Sequence, residues 1–205
     1  MDRTREPGFV VFEGMRRIAS GDLPSVALKA KGAFDRDQSS TVLIFNDVTG
    51  AQVDVDFSGS SEDVASRLQA RMPVASESGV ESSPQRRPGR PKLGVVAHEV
   101  TLLPRHWEWL NEQPGGASVT LRKLVDEARH ANEGKDRVRR SREAAYRFIV
   151  AMAGNLPGFE EATRALFAGD AARFDDLIGD WPSGVRDLAR TLAAEGFETP
   201  ATVDG

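Results

Sequence analysis

The sequence predicts an α+β protein of 205 residues. Three observations carry this expectation: short β-type runs near the start, helical apolar spacing over the last third, and a polar stretch between them. We expect a small N-terminal ββαββα unit, a flexible basic linker, a strand-helix-helix segment and a C-terminal helical bundle. The corresponding ranges are 1–73, 74–92, 93–132 and 133–197, followed by a loose tail at 198–205.

The first elements follow from apolar runs and turn residues. Residues 9–12 form the run Phe-Val-Val-Phe, and Glu13-Gly14 can turn the chain back into residues 15–19. This pattern is typical of a β-hairpin. Pro24 then suits the first turn of a helix, because proline lacks the backbone N–H that would be unpaired there.

Two more strands and a second helix complete this unit. Residues 41–45 are a continuous apolar run that reads as a buried strand, and residues 46–50 form a turn. Residues 52–57 alternate polar and apolar, which predicts a strand with one solvated face. Ser60 and Asp63 resemble a capping box, so we expect a helix to start there.

The middle of the chain is basic. Residues 74–85 are polar and short of large apolar groups, which favours a flexible linker. Four basic residues and no acidic one then occupy 86–92, a segment we call the basic arm. Residues 85–147 carry 14 Lys/Arg and 8 Asp/Glu, whereas both flanking parts are net acidic. This distribution fits a local footprint for phosphates between flanks that limit non-specific binding, or else an ordinary solvated surface.

A strand-helix-helix pattern follows the basic arm. Residues 95–102 alternate imperfectly, with Val100 and Leu102 expected on the apolar side. Pro104 suits the start of a helix, and residues 113–116, Gln-Pro-Gly-Gly, should end it. Thr120 can cap a second helix, whose apolar stripe contains residues 121, 124, 125 and 128.

The last third of the chain predicts a helical bundle. Apolar residues recur at helical spacing from about Asp136 to Met152, and residues 154–158 stop that helix. Residues 159–167 predict another helix, Asp170 can cap a third, and residues 185–193 outline a fourth.

Residues 100–128 resemble the ribbon-helix-helix family of bacterial DNA-binding proteins. The resemblance rests on Val100-Thr101-Leu102, on Trp107-Glu108-Trp109-Leu110, and on Val119 to Ala128. It implies that two chains pair their strands, that this ribbon enters the major groove, and that a homodimer forms through 93–130. The amide groups near Thr120 and Leu121 match the position that binds phosphate in that family.

The basic arm adds a second DNA-binding feature. Gly89-Arg90-Pro91 matches the centre of an AT-hook, in which arginine enters the minor groove of A·T-rich DNA, although Pro88 stands where a basic residue is usual. Glu99 also departs from the usual ribbon choice, because its charge would face phosphates. The candidate DNA-contacting residues are Arg86, Arg87, Arg90, Lys92, Ala97, Glu99, Thr101, Thr120, Arg122 and Lys123.

Nearly the whole chain is similar to a bacterial domain-of-unknown-function family, numbered 2239. Three segments carry this resemblance: residues 41–50, TVLIFNDVTG; residues 100–107, VTLLPRHW; and residues 156–162, LPGFEEA. The resemblance implies no activity.

Composition narrows the other classes of function. The chain has no cysteine, and its three histidines are not at metal-ligand spacing, so we expect no metal site and no cofactor. No apolar run approaches the length of a membrane span, and we expect a cytoplasmic protein. Neighbouring carboxylates, as at Asp54 and Asp56, are better read as solvated surface than as an acid–base pair, so we name no catalytic residue.

Three functions remain, in this order. The first is a DNA-binding transcriptional regulator, in which a dimeric ribbon-helix-helix-like element and the basic arm read DNA, and the terminal domains bind a small ligand or a protein. The second is a protein-interaction scaffold without DNA binding. The third is an enzyme of unknown type that uses the N-terminal unit.

Overall fold

The computed structural model describes residues 8–71, 96 and 98–198. They belong to two compact units. The discontinuous unit combines Met1–Pro73 with Glu133–Gly205, and the central unit is Val74–Asn132. The α+β fold class that the sequence predicts is confirmed.

The discontinuous unit is built on a three-stranded antiparallel sheet. Its strands are β1 (Phe9–Glu13), β2 (Arg16–Gly21) and β3 (Val42–Asn46), in the order β2-β1-β3. The predicted hairpin forms, and Gly14 turns it at a φ of 55°. Glycine suits that position because a left-handed backbone carries little penalty for a residue without Cβ.

Both faces of β1 are buried. Successive residues of a strand point to opposite sides of the sheet, so neighbouring residues of β1 belong to different clusters. Val11 packs in one cluster with side chains of the N-terminal helices. Val10 and Phe12 pack in a second cluster with side chains of the C-terminal helices. None of these three residues is more than 2% exposed. The sheet therefore separates two cores.

Helices α1 (Leu23–Arg36) and α2 (Ser61–Arg71) cover the first face, and both begin as the sequence predicts. The Asp22 carboxylate accepts from the Ser25 N–H at 2.9 Å, and Pro24 occupies the first turn of α1. At α2, the Asp63 carboxylate accepts from the Ser60 N–H at 2.8 Å, while the Ser60 hydroxyl accepts from the Asp63 N–H at 3.2 Å. These reciprocal bonds are those of a capping box.

The fourth strand of the predicted ββαββα unit does not form. Gln52 makes an isolated bridge with Phe45, and residues 53–58 have no strand pairing. The predicted alternation is nevertheless present, because Val53, Val55 and Phe57 pack against the first core while the polar residues between them are exposed. The Val53 N–H donates to the Ile44 carbonyl at 2.8 Å. Beyond Val53 the segment packs on the sheet through its side chains and lacks the ladder of backbone hydrogen bonds that would define a strand.

The C-terminal helices cover the second face. They are the C-terminal half of α4 (Ala117–Ala153), then α5 (Phe159–Ala168), α6 (Ala171–Leu177) and α7 (Ser183–Ala193), followed by a 3₁₀ turn at Ala194–Phe197. Phe148 of α4 reaches the sheet: its ring centroid lies 5.0 Å from Phe45 and 5.6 Å from Phe12. Aromatic pairs at these distances contribute beyond their buried area.

This arrangement differs from the expected division of the chain. We expected separate domains at 1–73 and 133–197, but Phe12, Phe45 and Phe148 share one core, so the two ranges form a single unit. The second predicted helix of the central segment and the first helix of the bundle are also one continuous helix, α4. Gly134 is the one glycine between residues 120 and 153, and there is no proline. A glycine inside a helix reduces its stability by about 1 kcal/mol relative to alanine, which is too little to end α4 here.

A close approach holds the turn after β3 against α4. Gly50 has a φ of 63°, and a Cβ atom there would lie 2.0 Å from the Ala144 carbonyl oxygen. The Arg147 guanidinium donates to the Thr49 carbonyl at 2.7 Å. Within the turn, the Asn46 side-chain oxygen accepts from the Val48 and Thr49 N–H groups. The turn can contact the helix backbone only because residue 50 is glycine.

Candidate nucleic-acid interface

The sequence-predicted site residues divide into two groups. Four positions of the basic arm, Arg86, Arg87, Arg90 and Lys92, lie outside the described residues, as does Ala97. The other five lie between residues 99 and 123, in the described part of the central unit. Glu99, Thr101, Arg122 and Lys123 are exposed, while Thr120 is half-buried.

The described part of the predicted ribbon, residues 98–102, has no strand partner among the described residues. Residues 98–103 are loop, and Val100 and Leu103 are 52% and 49% exposed. In a ribbon-helix-helix protein this strand pairs with a second chain, so its pairing stays a prediction. Val100 was expected on the apolar side of the ribbon, and about half of it is exposed.

Helix α3 (Pro104–Glu112) begins where the sequence predicts, with Pro104 in its first turn and Leu103 as the preceding residue. Trp107 is half-buried and Leu110 is 3% exposed, in line with their expected common face. Trp109 is 48% exposed. The aromatic surface of this helix is therefore divided between the interior and solvent.

The prediction that Thr120 caps the second helix is wrong. Helix α4 begins at Ala117, and the Thr120 N–H donates to the Gly116 carbonyl at 3.1 Å. That amide is consequently engaged inside the helix and cannot bind a phosphate. The unpaired N–H groups of a helix belong to its first residues, here 117–119. The Gly115-Gly116 pair, with φ values of 93° and 74°, precedes the helix, which starts four residues earlier than expected.

The apolar stripe at the start of α4 is partly exposed. Leu124 and Val125 are 42% and 54% exposed, and Leu121 is only half-buried. The expected homodimer through 93–130 would bury this stripe between two chains, which a single chain does not test. Among the described residues from 96 to 132, Leu110 alone is buried.

Residues 96–132 are less basic than the wider range 85–147, whose positive charge suggested a footprint for phosphates. Residues 96–132 contain four Lys/Arg and five Asp/Glu, so the net basic charge comes from the arm and from residues 133–147. Most arginines of that second range have partners in the discontinuous unit. Arg137 pairs with Glu198 at 2.9 Å, and Arg139 pairs with Asp136 at 3.0 Å. The basic arm is therefore the main candidate for phosphate contacts.

Carboxyl groups with shifted pKa values lie elsewhere and have structural causes. Hydrogen bonds from the Ser39 and Ser40 hydroxyls lower the pKa of Asp37 to about 2. Hydrogen bonds from the Ser25 backbone and hydroxyl lower the pKa of Asp22, and those from Ser60 lower the pKa of Asp63. Each carboxylate holds a turn or a helix start, so these shifts indicate capping and not acid–base chemistry.

Two of the three segments that suggested family 2239 occupy contact points of the fold. Residues 41–50 contain β3 and the turn that meets α4 at Gly50. In residues 156–162, Gly158 adopts a φ of 76° at the start of α5, and the Pro157 carbonyl accepts from the buried Trp181 indole at 2.9 Å. Such contacts constrain sequence for structural reasons.

A sequence profile described as "uncharacterized protein conserved in bacteria", domain of unknown function 2239, matches residues 8–193. The chain belongs to this family. The match covers both units and confirms the resemblance seen in the sequence; it carries no assignment to ribbon-helix-helix proteins. Comparisons with curated proteins and with solved structures find no match.

Two further findings concern the described part of this family member. None of its helices is long and apolar enough to cross a membrane. Its described residues also bring together no cluster of three or more His, Asp or Glu side chains that could hold a metal ion.

Proposed function

We propose that this chain is a dimeric DNA-binding regulator. In this proposal two copies join through the central unit, and the basic arm supplies most of the affinity for DNA. The proposal assigns the chain no catalysis.

The observation that carries the proposal is the uncovered apolar surface of the central unit. Six large apolar residues are each more than 40% exposed: Val96, Val100, Leu103, Trp109, Leu124 and Val125. Among the described residues from 96 to 132, Leu110 alone is buried. A segment with so small a core is not expected to be stable alone, and this many exposed large apolar side chains favour an interaction site. A second copy would cover it by strand pairing and helix packing, as in ribbon-helix-helix dimers.

DNA is the proposed ligand because of the basic arm. Its four cations lie within seven residues that contain no carboxylate, and they directly precede the proposed ribbon. Thr101, which is exposed, is the proposed base-reading residue, because its hydroxyl can donate and accept. Exposed Arg122 and Lys123 are proposed to contact the DNA backbone.

The dimer is tested on the full chain by light scattering. Val125→Glu should convert a dimer to a monomer, because a carboxylate at the interface would be buried without a partner. Val48→Glu is the matched control: Val48 is 47% exposed but lies in the discontinuous unit. A wild-type monomer at micromolar concentration would refute the proposed interface.

DNA binding is tested by fluorescence anisotropy on duplexes over a range of salt concentrations. Replacing Arg87, Arg90 and Lys92 by alanine should weaken binding and reduce the salt slope by up to about 3, because each phosphate contact contributes about 0.9. The control replaces three exposed basic residues of the discontinuous unit, Lys29, Arg164 and Arg173. Equal slopes for the two triple variants would exclude the basic arm.

The alternative is a protein-interaction scaffold. It is favoured by the near-neutral charge of residues 96–132, whose apolar surface would suit a protein better than a phosphate backbone. Thr101→Ala separates the two functions, since it should cost about 1–3 kcal/mol on the preferred duplex and nothing in dimerisation. A stable dimer with no affinity for any duplex at low salt would favour the scaffold.

A further inference from the structure

A surface cleft lies between α4 and the C-terminal end of α5, within the discontinuous unit. It measures about 320 Å³ and is lined by Lys135, Val138, Arg139, Arg142, Glu143 and Phe167. This volume is at the lower end of the range for small-ligand sites. The lining combines an apolar wall with a predominantly basic rim.

The apolar wall consists of buried Val138 and exposed Phe167. Val138 is 7% exposed and forms the inner part of the cleft, while Phe167 is 47% exposed. The Phe167 ring packs edge-on against Tyr146 at 5.5 Å, and Tyr146 is itself 40% exposed. The Phe167 ring thus remains available to a ligand in the cleft, with Tyr146 packed against it.

Arg142 is the best-positioned cation of the rim. Its guanidinium donates to the Gly196 carbonyl at 2.8 Å and to the Phe167 carbonyl at 3.1 Å. A Cβ atom at Gly169 would lie 2.8 Å from its terminal nitrogen, so this glycine leaves the space that the side chain occupies. The side chain is consequently held in place by neutral acceptors, and no ion pair compensates its charge among the described residues.

The other two cations differ in their environment. Arg139 is paired with Asp136 at 3.0 Å and with Glu143 at 3.3 Å, so most of its charge is already compensated. Lys135 is exposed and forms no ion pair with a described carboxylate. Lys135 and Arg142 together leave a positive rim beside the apolar wall.

We propose that this cleft binds a small amphipathic anion, with one carboxylate at Lys135 and Arg142 and an apolar ring system against Phe167 and Val138. Neutral apolar compounds would leave the cations unpaired, and small polar anions would not cover the apolar wall. The proposal does not depend on DNA binding, because every residue involved lies outside the central unit.

The test uses the full chain and three probes in isothermal titration calorimetry. The first probe is 2-naphthoate, which has a ring body and a carboxylate. Naphthalene-2-carboxamide keeps the body without the charge, and acetate keeps the charge without the body. We expect saturable binding of 2-naphthoate at one site, with both comparison compounds at least tenfold weaker. No binding of 2-naphthoate at millimolar concentration, or equal binding of the carboxamide, would overturn the proposal.

Variants then place the site. Phe167→Ala should weaken 2-naphthoate about tenfold, and Lys135→Met about three- to fivefold, as expected for a partly exposed ion pair. The control is Arg164→Met, an exposed arginine of α5 that does not line this cleft. Arg142 is not replaced, because its bonds to two carbonyls also support the fold. Undiminished binding by both cleft variants would place the ligand elsewhere and refute the assignment.

Discussion

Replacing Gly50 by alanine should be one of the most damaging single changes in the discontinuous unit. The backbone there is left-handed at a φ of 63°, which costs a residue with a Cβ about 1–2 kcal/mol. The new Cβ would also lie 2.0 Å from the Ala144 carbonyl oxygen, so the turn and α4 must separate. Overpacking of this kind typically adds about 1–3 kcal/mol, which gives a total of about 2–5 kcal/mol.

Gly14 provides a matched control for that prediction. Its φ of 55° is similar, but a Cβ there would meet no atom within 4 Å. Gly14→Ala should therefore cost only the backbone term, about 1–2 kcal/mol. The assay is urea unfolding of the full-length variants, followed by hydrogen exchange of β1 and β3 amides so that the discontinuous unit is monitored by itself. If the two alanine variants lose equal stability, the contact between Gly50 and Ala144 is not the cause.

Three further predictions concern the same unit. Ser141→Ala should cost about 1–3 kcal/mol in urea unfolding, because the buried hydroxyl donates to the Leu192 carbonyl at 2.6 Å. Trp181→Phe should cost a similar amount by removing the indole hydrogen bond to the Pro157 carbonyl, and a cost near zero would show that water replaces it. The lowered pKa of Asp37, about 2, makes its contribution to stability present above the unfolded-state pKa near 4 and lost as pH falls towards 2. Asp37→Ala should therefore reduce stability at pH 7 and flatten its loss between pH 4 and 2, as measured by urea unfolding across that range.

Sequence patterns of a few residues correctly predicted the elements that depend on contacts between neighbouring residues. The capping box at Ser60 and Asp63 and the hairpin around Gly14 depend on neighbouring residues, and both form as expected. The segment at 53–57 shows the limit of this reasoning, because its alternation predicted correctly which side chains face inward but could not predict backbone pairing. Strand pairing depends on a distant partner, which periodicity alone does not specify.

The candidate sites were less predictable, for a related reason. Thr120 has the residue type of a cap, yet the Gly115-Gly116 turn starts the helix earlier and places Thr120 inside it. Leu124 and Val125 have the helical spacing of residues that pack into a core. An exposed apolar face has the same spacing, so periodicity alone does not show whether the face is buried. The cleft beside Phe167 depends on contacts of Arg142 with residues 25 and 54 positions later, which no local pattern indicates.

The position of β1 between two cores has a consequence for synthesis of the chain. The first core needs only residues up to α2, so that face of the sheet can be covered early. The second face, with Phe12 and Phe45, cannot be covered until Phe148 has been synthesised, about 100 residues later. At about 5–20 residues per second, the ribosome would leave this face uncovered for roughly 5–20 s. During that interval the nascent chain presents an apolar sheet surface, and a chaperone that binds such surfaces would have its main opportunity before α4 emerges.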